Sequence, residues 1–196
     1  MVIKFNTNKV MQAAAVLLKA HTGRISRLRL LKLLYIADRE HFEKTLRPIT
    51  GDRAIALDNG PILVRTYHLL KGEDSDTPAW EQHILPEGPQ DHRLVGDPGV
   101  TKLTRREIDL LQQVSEEHRQ KNDYDLAIET QQFQEWIQNQ PARGDSKPIS
   151  FDDLLAALGL EEHKQRLEDE SQAAAALDRA LTTAAAGKAV QPAGRE

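Results

Sequence analysis

Asp38 and His41 stand three residues apart in "YIADREHFEK", a stretch that reads as helix. Side chains at that spacing share a face and can hold a metal ion or pass a proton. Two ligands do not make a site, however, and a hydrogen-bonded pair at a helix end accounts for both residues without chemistry. The other histidines, at 21, 68, 83, 92, 118 and 163, are scattered. With no cysteine in the chain, a thiolate nucleophile, a disulfide and a Cys-ligated metal are all excluded. There is no G-x-x-x-x-G-K-[ST] phosphate loop, G-x-G-x-x-G turn, G-x-S-x-G elbow or H-E-x-x-H pair. No motif thus supports an enzyme, which leaves Asp38 and His41 as its one handle, and no metal and no cofactor is expected.

A second chemistry is electrostatic. Arg24, Arg27, Arg29 and Lys32 cluster around the turn "HTGRIS" between two helical stretches, an outline that resembles a helix-turn-helix. The first 50 residues carry ten Lys/Arg against three Asp/Glu, while the whole chain has a net charge of −4. Such asymmetry suits an acidic partner, or a dipolar molecule that binds a second copy of itself. Against DNA reading, positions 28–36 are apolar except Arg29 and Lys32, so no polar face is left for a groove. The acidic remainder would also repel phosphates.

The third candidate is "RPITGDRAIALDNGP", Arg47 to Pro61. Pro48 and Gly51 predict a turn, Asp52 or Asn59 a cap, and Gly60-Pro61 a helix start. Those roles do not require the ionic residues, and a short unpaired strand at "RAIAL" could accept a partner. The candidate contact residues are Arg39, on the exposed flank of the second helix, with Arg47, Asp52, Arg53, Asp58 and Asn59. Gly51, Gly60 and Pro61 would shape their surface.

These residues are positioned by a helical framework. A first helix spans about Asn8–Ala20 with Thr7 as cap and Val10, Ala14, Leu17 and Leu18 inward. Gly23 ends it and Ser26 caps the next. That second helix, "RLRLLKLLYIADREHFEK", is apolar on more than one side and should be the core element. "PILVRTYHLL" gives a third helix. "EQHIL" and "HRLVG" read as a hairpin, with "RAIAL" as a third strand. Thr104 and Glu107, then Ser150 and Asp153, form capping boxes that start two later helices. Between these lie a short helix near 124–130 and a segment with Phe133, Trp136 and Ile137. After Gly159 the chain turns charged and alanine-rich, with Leu167, Leu177 and Leu181 as a weak stripe that frays beyond Ala186.

The block from Lys32 to Gly72, "KLLYIADREHFEKTLRPITGDRAIALDNGPILVRTYHLLKG", resembles the signature of the Panacea (SocA-like) antitoxin domain family, also found in phage-associated proteins. Lys32, Leu33, Leu34, Tyr35, Ala37 and Asp38 match its helix motif, and "LTRREIDLLQQV", "EW" and "ISFDDLLAALG" agree downstream, over about residues 8–160. The "DYD" and "ETQQ" segments depart from the family pattern. The resemblance implies a non-enzymatic antitoxin, with phage defence among its expected settings, that neutralises a cognate protein toxin by direct binding. A proteolytic adaptor delivering the toxin to an AAA+ protease, and an autoregulator bound to operator DNA, are the alternatives; Lys32 and Asp38 could also pair inside the fold.

The expected fold is mainly α: a compact helical domain over 1–160 with a small β-hairpin or three-stranded element, then a charged, Ala-rich helix or tail over 161–196. The longest apolar runs, "AAAVLL" and "LLYIA", are far shorter than the roughly 20 residues that span a bilayer, so no membrane is expected. With no secretion signal and no cysteine, the expected location is the cytoplasm.

Overall fold

The computed structural model describes residues 4–188. Two helices form its centre. In α1 (Thr7–Ala20) every residue from Val10 to Leu18 is buried, and in α2 (Arg27–Thr45) every residue from Leu30 to Asp38 is. Burial that continues round the circumference marks interior helices rather than amphipathic covers. The cap of α1 is Asn6, whose side chain accepts from the Lys9 N–H at 3.1 Å, and not Thr7, whose hydroxyl instead bonds Asp76. Ser26 caps α2 as expected, through the Arg29 N–H.

Around this pair pack α5 (Arg105–Glu117) and α6 (Asp123–Thr130). The capping box of Thr104 with Glu107 is formed in both directions, and Leu110, Leu111 and Val114 face the core, with Ile108 half-buried. The elements α3 (Val64–Lys71), α4 (Thr77–Trp80) and α7 (Gln134–Gln138) are short. The second capping box, Ser150 with Asp153, starts α8 (Phe151–Leu158), which closes at Gly159 with the Leu160 N–H on the Leu155 carbonyl at 2.9 Å. A 3-10 turn at Glu161–His163 leads into α9 (Lys164–Lys188). Leu167 is buried against Phe42 and Leu155, whereas Leu177 and Leu181 are exposed, so the apolar stripe docks only at its beginning. The fraying expected past Ala186 falls partly on residues 189–196, which lie outside the described residues.

The β content is two three-stranded antiparallel sheets instead of one small element. In one, β1 (Arg24–Ser26), β5 (Asp91–Leu94) and β4 (Ile84–Glu87) lie in that order. The turn of the apparent helix-turn-helix is therefore a strand, with Ile25 opposite His92. In the other the order is β3 (Gly60–Leu63), β2 (Ala54–Leu57), β6 (Lys147–Ile149). "AIAL" thus does not join the 84–94 hairpin. It is a central strand paired on both sides, so its backbone cannot accept a partner strand. Gly60-Pro61 begins β3 rather than a helix, and the helix starts at Val64. Gly60 adopts φ +90°, the left-handed residue that closes a hairpin loop, and Pro61 sits in an edge strand where its missing N–H is tolerated.

Candidate functional site

Five polar residues of α2 reach out and fix what surrounds it: Lys32, Tyr35, Asp38, Arg39 and His41. Asp38 is buried and accepts from the Ile49 N–H at 2.7 Å, the Thr50 N–H at 2.8 Å and the Thr50 hydroxyl. Burial pushes its carboxyl up to about 6, against three donors that favour the ionised form. His41 Nδ1 lies 2.5 Å from the Arg47 carbonyl and 3.2 Å from the Thr45 hydroxyl. Asp38 and His41 therefore hold the following loop rather than each other. The cause is Leu46, whose left-handed backbone (φ 57°) ends α2 and turns residues 47–50 back over it. Among the described residues no three His, Asp or Glu are grouped so as to hold a metal ion.

Lys32 faces elsewhere. It is fully buried, and its ammonium donates to the Pro61 carbonyl at 2.8 Å. Burial lowers its pKa to about 7. The internal pair with Asp38 does not form, because six residues is not a whole number of helical turns and the two side chains serve opposite neighbours. Gly60 packs over the same amine: a Cβ there would stand 2.9 Å from Lys32 Nζ and 2.4 Å from the Thr130 hydroxyl. Tyr35 and Arg39 clasp Glu135 of α7, at 3.0 Å and 2.8 Å, and the Arg39 guanidinium lies 4.4 Å from the centre of the Phe133 ring. Burial and the Glu135 charge hold the Tyr35 phenol well above its ordinary range. Arg39, expected on an exposed flank, is only 17% exposed.

Asp52 is a cap supplied from outside its helix. Leu63, at the cap position of α3, has no side chain to offer. Asp52 accepts instead from the Arg65 N–H at 3.0 Å and from the Thr66 N–H and hydroxyl, both at 2.8 Å. It also takes the Arg53 N–H at 2.7 Å. Its charge is thereby used inside the fold.

The β2–β3 hairpin divides the remaining candidates between two grooves. One, of about 520 Å³, runs between the 48–55 loop and the β6–α8 segment, with Asp38, Arg39, Gly51, Asp52 and Arg53 in its lining. Its apolar walls include Phe42, Ile55, Val64, Phe151 and Leu154. The other, of about 630 Å³, lies at the tip of the hairpin and takes in Lys32, Asp58, Asn59 and Gly60 with Tyr124 and Asp145. Asp58 accepts from the Gly144 N–H at 2.8 Å, and Arg47 pairs with Glu170 of α9 at 2.5 Å. Arg53 is exposed and makes no ion pair among the described residues. Sequence reasoning thus expected one surface where the structure has two. It also missed Glu135, Thr130 and the Phe151–Leu154 wall; the Ser150–Asp153 box announced α8 but not what α8 faces.

The basic cluster is largely consumed. Arg24 bonds Asp91 at 2.5 Å, and Arg29 is held by Asp123 at 2.8 Å and by the carbonyls of His118 and Lys121. With Lys32 buried, only Arg27 of the four lacks a carboxylate or carbonyl partner among the described residues.

These features define a small, mainly helical domain whose central helix clamps a loop and a hairpin and leaves an apolar groove beside them. The chain belongs to the SocA-like antitoxin family: the family model described as "Antitoxin SocA-like, Panacea domain" matches residues 30–137, more than half of its length. No curated protein and no solved structure matches it.

Proposed function

We propose that this protein is an antitoxin that neutralises a cognate protein toxin by direct binding, without turnover, in the cytoplasm. The reading is carried by the family match together with the groove that the family's own loop borders. Pro48, Gly51 and Arg53 line that groove, and Asp38 and Asp52 fix their backbone from two sides. A loop already held in one conformation loses little entropy on binding, which favours affinity. The toxin's active surface would be covered, or an inactive form of it held. The test is co-expression with the product of the neighbouring reading frame. That product should be lethal alone, tolerated with this protein, and recovered in a stable complex with it. A neighbour that is harmless alone, or a rescue without any complex, would sink the proposal.

A proteolytic adaptor is favoured by one observation: α9 continues past its anchor at Leu167 with Leu177 and Leu181 exposed, as a tether for an AAA+ protease would. Removing residues 165–196 should then stop toxin degradation and leave toxin binding intact; an unchanged degradation rate refutes it. Operator binding is read from salt: a phosphate binder must weaken steeply as salt rises.

A further inference from the structure

We infer that the far half of α9 is a self-association surface, on which two copies of the chain pair as antiparallel helices with Leu177 of each against Leu181 of the other. The inference concerns the protein alone and does not depend on the toxin-binding reading.

The first argument is position. α9 is a helix of 25 residues. It docks on the domain through Leu167, buried against Phe42 and Leu155, and through Glu170, which pairs with Arg47 at 2.5 Å. Beyond that anchor its large apolar residues are Leu177 and Leu181, which are 60% and 59% exposed. Four residues apart, they share one face of the helix. Neither enters the core, so the folding of one copy does not account for them.

The second argument is the order of the residues along that face. Glu170, Ala174, Leu177, Leu181, Ala184 and Lys188 follow one another in alternating steps of four and three, the spacing that keeps one stripe turned toward a partner helix. The stripe reads the same in both directions about position 179, except that its two ends are opposite in charge. A second copy turned end for end therefore sets Leu181 against Leu177, Ala184 against Ala174 and Lys188 against Glu170. An unrelated protein places no such demand on the sequence, whereas a copy related by a two-fold axis does. Parallel pairing would set Glu170 against Glu170 and Lys188 against Lys188, so charge selects the antiparallel direction. Because Glu170 also serves Arg47, the Lys188 pair sets direction while the leucines supply most of the attraction.

The positions flanking the stripe are Ser171, Ala173, Ala180, Ala185 and Gly187, all small, with Asp178 as the charged exception. Small flanks let two helices approach closely. Asp178 lies near its own copy across the axis, which opposes the pairing. The contact is also small, below the roughly 1,200 Å² of a standard stable complex, so the pairing is weak and concentration-dependent.

Sedimentation velocity on the full-length protein, from about 1 µM to 1 mM, should show monomer passing into dimer and no larger species. The double variant Leu177→Gln with Leu181→Gln should stay monomeric with an unchanged melting temperature, since both side chains are already exposed in one copy. Lys188→Glu should weaken the dimer by roughly five- to ten-fold, and Asp178→Asn should tighten it by about two-fold. The chain has no cysteine, so Ala174→Cys and Ala184→Cys each introduce a single thiol. In the antiparallel pair position 174 lies beside 184 of the other copy, while the two copies of 174 stand about 15 Å apart along the axis. A bis-maleimide too short for that gap should join the two variants when they are mixed and leave each alone unjoined.

A chain that is monomeric at every concentration overturns the inference, and so does a dimer that survives the double leucine variant. Crosslinking of Ala174→Cys to itself would mean parallel pairing and overturns it as well. A monomeric chain whose leucine variant loses its complex with the toxin, or with an AAA+ protease, would make that protein the occupant of the face and also overturn it. Each of these outcomes is separate from the antitoxin reading, which stands or falls on whether the neighbouring gene product is lethal and neutralised.

Discussion

Lys32→Met keeps the length of the stem and deletes the ammonium, which makes it a direct measure of what a buried amine costs this fold. The Lys32 pKa falls from 10.5 to about 7. At 1.36 kcal/mol per unit, the cost of holding the charged form below pH 7 is capped at about 5 kcal/mol. The sign follows from proton counting. Between pH 7 and 10.5 the unfolded chain binds more protons at this residue than the folded one, so wild-type stability rises with pH across that window. The slope approaches about 1.4 kcal/mol per pH unit. Methionine has no such slope. It does forfeit the bond to the Pro61 carbonyl, worth about 1 kcal/mol and more if that oxygen is left unpaired. The Met variant should therefore be more stable than wild type by about 2 kcal/mol at pH 6 and less stable than it by about 2 kcal/mol at pH 10. Urea unfolding followed by circular dichroism at several pH values reads both curves, and their difference removes every other titrating group. Parallel curves, or a Met variant that is weaker at pH 6, would refute the reasoning.

Three further outcomes follow from the same contacts. Gly60→Ala puts a Cβ 2.4 Å from the Thr130 hydroxyl at φ +90° and should cost about 3 kcal/mol in thermal unfolding. Adding Thr130→Ala should restore part of that loss, and a double-mutant cycle with no coupling would disprove the overlap. Leu167→Ala should cost about 2–5 kcal/mol locally, seen as lost amide protection at the start of α9 with α2 unchanged; retained protection there counts against the anchor. Asp52→Ala removes the external cap of α3 and should lower stability by about 2 kcal/mol, with Asp52→Asn intermediate; an unchanged melting temperature would deny the capping role.

The elements that sequence reasoning found are those with local signals. The capping boxes at Thr104 and Ser150, the cap at Ser26 and the stop at Gly159 each lie within a few residues of the helix end they define, and all four formed. What it misread required distant partners. Gly60-Pro61 carries a helix-start pattern, but β2 and Lys32 claim it for a hairpin. "RIS" has only three residues and becomes a strand because 91–94 lies alongside. The site split for the same reason: nothing within 47–61 says that the base of its hairpin borders one groove and the tip another.

The order of the signature can be understood as mutual support. On α2, Lys32 holds Pro61, Asp38 holds Ile49 and Thr50, and Tyr35 with Arg39 holds Glu135. In the loop, Asp52 holds the start of α3, and Gly60 makes room for Lys32 and Thr130. Lys32, Asp38, Asp52 and Gly60 serve neighbours within the same block, and Tyr35 and Arg39 serve Glu135 beyond it, so these identities are set by folding before any partner is considered. That changes what an ionic residue in the loop means. Asp52 and Arg39 are charged because the interior needs a cap and a clasp, and their charge is not left over for a toxin. Arg53 answers to no such demand: its N–H serves Asp52, while its guanidinium stands exposed at the groove. In a loop where nearly every polar group is engaged, that unengaged cation is the residue whose identity a partner would select, and Arg53→Gln separates binding from folding.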